Sequence, residues 1–215
     1  AGLPEPDLVM ACAQDHGLHP GTSSRLGRFK LWERFLTEAG GRPEALVYLT
    51  PPPELTRLLV LQNAIGGGPV ADSAAAAVLG MLADPDIAAR SDAAGVMLVN
   101  AGNSHTVAAL VHRRRIHGIY EHHTGMLEPD ALWAHLERFR RGALQNAEVF
   151  DSGGHGCLTL TLPPEAGIFP YTSVIGPKRA SFAGFDVDFP SPGGDMMLTA
   201  CHGLIGWLRS RKAEK

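Results

Sequence analysis

"VMLVNAGNSHTVAALV" fills residues 96–111. An apolar run ends at Asn100, passes through small polar residues, and resumes at Val107. Two strand-like runs around a short polar turn predict an antiparallel hairpin. Gly102 can adopt positive φ, and Asn103 tolerates it better than most residues. Successive N–H groups in such a turn can converge on an anion, with the Ser104 and Thr106 hydroxyls as added donors. Residues Gly102, Asn103, Ser104, His105 and Thr106 therefore form a candidate phosphate-binding loop, with a plain hairpin turn as the alternative.

Downstream, "IHGIYEH" (116–122) reads as a third strand, which makes a meander. "EPDALWAHLERFRRG" (128–142) is a predicted helix with Leu132, Leu136 and Phe139 on its buried stripe. "AEVFDSGG" (147–154) and "YTSVIGPKRA" (171–180) read as strands running into glycines. "GDMMLTACHGLIGWLRSR" (194–211) reads as an apolar helix with a basic end. The expected order is β-β-β-α-β-α-β-α.

Upstream, "DLVMACA" (7–13) and "ALVYLT" (45–50) are expected strands. Ser23 or Ser24 should cap a helix carrying Leu26, Phe29, Trp32, Phe35 and Leu36. Pro51-Pro52-Pro53 leads into a helix from Glu54. The alanine run of "DSAAAAVLGMLAD" (72–84) favours a helix that a neighbour can approach closely. "DPD" and "ARSDAAG" read as a linker near residue 90. It divides a first unit, 1–90, from a second, 91–215.

Of the 215 residues, 45% are hydrophobic and 19% charged, ordinary proportions for a globular protein. A net charge of −3 provides no global field for nucleic acid, and no apolar run reaches membrane-spanning length. Cys12, Cys157 and Cys201 lie far apart, which argues against a disulfide framework and suggests a cytoplasmic, reducing compartment. The chain starts at Ala1 in mid-approach to a strand, as a fragment or processed product would.

Asp15, His16 and His19 follow the first strand, and Glu121, His122 and His123 end the third. A carboxylate beside an imidazole can polarise water, so Asp15 and His16 are a candidate catalytic pair. Adjacent strand residues point to opposite faces, so His122 and His123 cannot share one metal while the strand continues. With no HxxxH or HxH pattern, no metal ligands are assigned.

A meander followed by alternating helices and strands is the topology of half of an actin-like ATPase. "PVADSAAAAVLGML" (69–82) resembles the connecting helix of actin-like and heat-shock chaperone ATPases. "VMLVNAGNSHTVAALV" stands where those proteins carry their second phosphate loop. More closely, "VNAGNSHTVAALV", "EHHTGML", "GPKRA" and "GDMMLTACHG" resemble a prokaryotic family labelled as pyruvate formate-lyase activating enzymes. The actin-like resemblance implies an α/β, ribonuclease-H-like fold with a complete second domain and a partial first one. It implies ATP or another phosphate-bearing ligand, with Mg²⁺.

In that pattern Asn100 replaces the Asp that holds the Mg²⁺ water shell, which leaves phosphate binding better supported than hydrolysis. "DSGGHG" and "IGPKRA" fall where the adenosine-binding turns lie, implicating Gly153, Gly154, Gly176, Pro177, Lys178 and Arg179. The first phosphate loop has no counterpart in "AGLPEPDLVMACAQDHG" (1–17), so a missing segment or another chain would pair with the open sheet edge. The radical chemistry in the label needs three closely spaced thiolates on an iron–sulfur cluster, a spacing these cysteines lack. The expected function is phosphate-ligand or nucleotide binding, as an ATPase or small-molecule kinase when complete. A non-catalytic assembly module, or a metal-dependent hydrolase using Asp15 and nearby histidines, are the alternatives. The expected partner is a small-molecule ligand.

Overall fold

The computed structural model describes residues 4–213. The stretch 96–111 is the expected hairpin: β4 (Val96–Ala101) pairs antiparallel with β5 (His105–His112), which pairs with β6 (Arg115–His123). β7 (Gly156–Thr159) adds to β6, and β8 (Tyr171–Ile175) lies parallel to β4. The resulting five-stranded sheet runs β7-β6-β5-β4-β8. Its strands are apolar on both faces, as expected of a sheet covered on both sides.

α1 (Ser24–Glu38), α3 (Ser73–Met81) and α4 (Pro85–Ala93) cover one face, where Phe29, Trp32, Leu36, Val78 and Met81 meet Val96, Leu98 and Ile119. α5 (Pro129–Phe139) and α6 (Asn146–Asp151) cover the other, where Leu136, Phe139 and Val149 meet Met97, Val99 and Tyr120. The expected buried stripes of α1 and α5 are present; Leu26 alone faces solvent. A smaller sheet, ordered β1-β3-β2, is built from β1 (Ala11–Ala13), β2 (Val47–Tyr48) and β3 (Val70–Asp72), so β1 and β2 are its edges. Beyond it α2 (Thr56–Ala64) packs on β1, and the final helix α7 (Thr199–Ala213) packs on α3.

The close approach expected of the alanine run is the α3–α7 contact. A side chain at Gly80 would collide with the Thr199 carbonyl, and one at Gly203 with the Ala76 carbonyl. Small residues on both helices let the backbones touch.

Three expectations need correction. Residues 147–154 do not form a strand: Gln145 and Glu148 make a reciprocal capping box that starts α6, and the strand begins at Gly156. The segment around 90 is no linker but α4, capped by Asp84 and opened by Pro85 at its first position. Finally, both expected upstream strands are shorter: 7–13 is strand only over Ala11–Ala13, and 45–50 holds only a two-residue strand, because Pro43 opens a 3₁₀ turn over Pro43–Leu46. The observed order after β6 is therefore α5-α6-β7-β8-α7. Residues 1–3, including the Ala1 start, lie outside the described residues.

Candidate metal centre

The start of β5, the end of β6 and the start of β7 meet at one edge of the large sheet, because the three strands are antiparallel neighbours. Their polar termini are His105, Glu121 with His123, and His155. In the register His105 faces His123 and Val107 faces Glu121, so His105, Glu121 and His123 project to one side. His122 projects to the other, where it is fully buried beside Tyr120 and His135. The loop after β1 brings His16 over this edge.

His16, His105, Glu121 and His155 each offer a ligand atom, all within 4.8 Å of one another. His105 Nε2 lies 3.1 Å from His155 Nε2, and His16 Nε2 lies 3.6 Å from Glu121 Oε1. Tetrahedral ligands at zinc-like bond lengths of about 2.1 Å stand about 3.4 Å apart, so both separations fit one ion. His16 Nε2 and the Nδ1 atoms of His105 and His155 are buried without hydrogen-bond partners. Buried polar atoms in that state ordinarily find a proton donor, an acceptor, water or an ion.

The electrostatics suit cation binding. Burial pushes His105 down to about 4 and His155 down to about 3, so both imidazoles are neutral near pH 7 with lone pairs available. Burial by itself would raise the Glu121 carboxyl, but the Arg28 guanidinium and His16 override it and hold the group ionised, well below the usual carboxylate range. Arg28 Nε and Trp32 Nε1 donate to Oε2 at 3.0 and 3.1 Å. Oε1 is left facing His16, with Gln14 Nε2 at 3.4 Å. Arg28 also donates to Asp72 Oδ2 at 2.9 Å and the Asp15 carbonyl at 2.6 Å. This buried network orients the carboxylate as outer-shell partners orient metal ligands.

Asp15 does not join the cluster. Its Oδ1 accepts from Gly17 N and its Oδ2 from Leu58 N in the first turn of α2, so it caps a loop and a helix. The expected Asp15/His16 pairing fails because adjacent residues in this loop turn different ways. His19 is structural as well: its ring Nε2 lies 2.8 Å from the His16 carbonyl.

The 100–106 loop is a tight turn without the expected anion nest. Neither Gly102 nor Asn103 has positive φ, and Gly102 N donates to the His105 carbonyl. Gly102 is needed instead for close approach, since a Cβ there would lie 2.7 Å from that carbonyl. Thr106 is buried, with its hydroxyl 3.0 Å from that of Thr124. Asn100, Gly102, Asn103, Ser104 and His105 nevertheless line a cleft of about 180 Å³ against Ser73 and Ala74 at the start of α3. Gly176 and Pro177 line an adjoining hollow that shares Asn100 and Ser73. Lys178 is exposed, and its backbone N donates to the Ala101 carbonyl. Arg179 opens a 3₁₀ turn. Gly153 and Gly154 sit away from that cleft: the Gly154 carbonyl accepts from Arg25, and a side chain at either glycine would strike Met126 or His122.

Sequence reasoning took the glycines of "DSGGHG" and passed over His155, and it read Glu121 without its partners. The missing signal was sheet order. Once β5, β6 and β7 are neighbours, their polar ends must converge.

Fold and site together define an α/β protein with a three-histidine, one-carboxylate cluster at a sheet edge. The chain matches the family described as "Putative pyruvate format-lyase activating enzyme (DUF1786)" over residues 1–181, and it belongs to that family. No curated protein matches it. Cys157 is buried within the core, Cys12 is half-buried, Cys201 is exposed, and none belongs to the histidine cluster. No helix among the described residues is long and apolar enough to cross a membrane.

Proposed function

We propose that this protein is a divalent-metal-dependent hydrolase of a small polar substrate. His16, His105, His155 and Glu121 would bind a zinc-class ion, and the cleft lined by Asn100, Asn103 and Ser104 would hold the substrate. The observation that carries this reading is the convergence of four ligand atoms within 4.8 Å. Borderline-soft ions favour neutral imidazole with one carboxylate, whereas Mg²⁺ favours oxygen ligands. Such an ion lowers the pKa of a bound water and so supplies hydroxide at neutral pH. His105 belongs to both the cluster and the cleft wall, so a substrate held in the cleft would lie beside an ion held by the cluster.

Calorimetric titration with Zn²⁺ tests the centre. The wild type should bind one equivalent, and His155→Ala and His105→Ala should each weaken binding by at least 100-fold while keeping the circular-dichroism spectrum. Zn²⁺-dependent hydrolysis of nitrophenyl ester and phosphodiester probes tests the activity. Equal Zn²⁺ affinity in all three proteins would end the proposal.

A second reading rests on the same cleft. Its position between the start of α3 and the β4–β5 turn, with β8 parallel to β4 beside a meander, supports an actin-like, ribonuclease-H-like protein that binds ATP or another phosphate-bearing ligand, with Mg²⁺, in a cytoplasmic setting. Against catalysis as an ATPase or kinase, the turn lacks a nest, and Asn100 brings no charge for Mg²⁺. A non-catalytic binding module is the form of this reading that the geometry favours. Titration with ATP and Mg²⁺ distinguishes it from the hydrolase.

A further inference from the structure

The cleft beside the histidine cluster has a lining with one chemical bias. Gln14, Ser73, Asn100, Asn103 and Ser104 bring carboxamides and hydroxyls to it, and His105 joins it to the cluster. Among the described residues, no Asp, Glu, Lys or Arg lines it. The His105 imidazole, pushed down to about 4 by burial, is neutral near pH 7. The adjoining hollow of about 140 Å³ shares Ser73 and Asn100 with the cleft. Its other walls include Ala77, Ile175, Met196 and Met197, again with no charged side chain among the described residues.

The features that could hold an anion there are already engaged. Asp72 caps α3, its Oδ1 accepting from Ala74 N at 2.9 Å, so a carboxylate already meets the positive end of that helix. Gly102 N donates to the His105 carbonyl at 3.0 Å. Lys178 and Arg179 line neither recess. A divalent ion with the Glu121 carboxylate and a bound hydroxide carries no net charge, and Arg28 is paired with Asp72. An anion entering the cleft would lose hydration without gaining a countercharge. Carboxamides and hydroxyls instead both donate and accept. A secondary amide offers them a C=O acceptor and an N–H donor together. An ester of the same shape lacks the donor, and a site built to pair with an N–H rejects the analogue without it.

We propose that the substrate is an uncharged secondary amide. Its C=O and N–H pair with the Asn100, Asn103 and Ser104 side chains, and its apolar substituent lies in the hollow walled by Ile175, Met196 and Met197. This substrate class rests on the hydrolase reading for its chemical step. Water is the co-reactant: its oxygen bonds to the carbonyl carbon, the C–N bond breaks, and the nitrogen keeps the electron pair and takes a proton. The products are a carboxylic acid and an amine.

Ligand-observed NMR on the full chain, metal-free and then with one equivalent of Zn²⁺, tests the class with three probes of similar shape: acetanilide, phenyl acetate and phenyl phosphate. In both states acetanilide should bind about fivefold more tightly than phenyl acetate, for the lost hydrogen bond, and about tenfold more tightly than phenyl phosphate. Asn103 is exposed, so Asn103→Lys should keep the circular-dichroism spectrum and bring phenyl phosphate to parity with acetanilide. Met197 is 65% exposed, and Met197→Asp should weaken acetanilide about fivefold by putting a charge in the apolar hollow, with Zn²⁺ affinity unchanged. The Zn²⁺-loaded wild type should release nitroaniline from para-nitroacetanilide, and His155→Ala should not. Phenyl acetate or phenyl phosphate binding as tightly as acetanilide in the wild type overturns the substrate class. So does Zn²⁺ uptake without acetanilide binding, or binding without nitroaniline release, while the metal centre stands. Acetanilide binding without Zn²⁺ uptake overturns the hydrolase reading and supports the ligand class alone.

Discussion

Replacing Arg28 by Met removes the only strong cation from a buried set of carboxylates while keeping much of the side chain's length. Arg28 is 3% exposed, Glu121 0% and Asp72 4%. The guanidinium makes ion pairs of 2.9 Å to Asp72 and 3.0 Å to Glu121, and lies 4.3 Å from the Trp32 ring centre. Breaking a buried pair by removing one partner costs about 3–5 kcal/mol, because the remaining charge is stranded. Two carboxylates share this cation, so the upper end applies, unless Glu121 takes up a proton. Without Arg28 the burial of Glu121 is opposed only by His16, His155 and Trp32, and its carboxyl shifts upward. Urea unfolding at pH 7 measures the loss. The double variant Arg28→Met/Glu121→Gln should recover about 1–2 kcal/mol of it, since one stranded charge is gone. Saturating Zn²⁺ should also stabilise the single variant, as the ion supplies the missing charge, by about 2.7 kcal/mol at a hundredfold excess over its dissociation constant. A loss below about 1 kcal/mol for Arg28→Met, or strict additivity with Glu121→Gln, would refute the view that this network holds the carboxylate.

The pH dependence follows from the depressed histidines. His105 and His155 titrate at about 4 and 3 in the folded chain and near 6.5 when unfolded, so the unfolded state binds more protons between those values. Metal-free stability should therefore be full above pH 6.5 and fall as pH drops toward 4, by on the order of 2 kcal/mol after allowing for partial exposure; a flat profile in thermal melts would contradict this. Asp15→Asn should lower stability by about 1 kcal/mol through the weakened α2 cap, with Zn²⁺ affinity unchanged in the same calorimetric titration. Gly80→Ala should destabilise by about 1–3 kcal/mol, because α3 and α7 must separate, and denaturant midpoints report it. His122→Ala, on the opposite face of β6, should leave Zn²⁺ affinity unchanged, in contrast to His155→Ala.

Local pattern was enough for the elements with strong periodicity. The 96–123 meander is written in apolar runs broken by short polar turns. α1 and α5 are written in the spacing of Phe29, Trp32 and Leu36 and of Leu132, Leu136 and Phe139. The alanine run at 74–77 declared a close helix contact without saying with what. Where caps outweighed composition, pattern reading slipped. The Gln145–Glu148 box turned an apparent strand into α6, and Asp84-Pro85 turned an apparent linker into α4. Adjacent-residue geometry correctly separated His122 from His123, because a strand's two-residue period is a local property.

The cluster itself was beyond local reading. His16, His105, Glu121 and His155 are spread over 140 residues and share no motif spacing. They meet because β5, β6 and β7 are antiparallel neighbours and because the loop after β1 reaches across the sheet edge. The burial that makes two of the imidazoles neutral, and the Arg28 contact that keeps Glu121 charged, depend on α1 packing over that same face. Asp15 shows the converse. Its sequence position beside His16 suggested catalysis, but only the three-dimensional placement of α2 decided that its carboxylate is spent on backbone N–H groups.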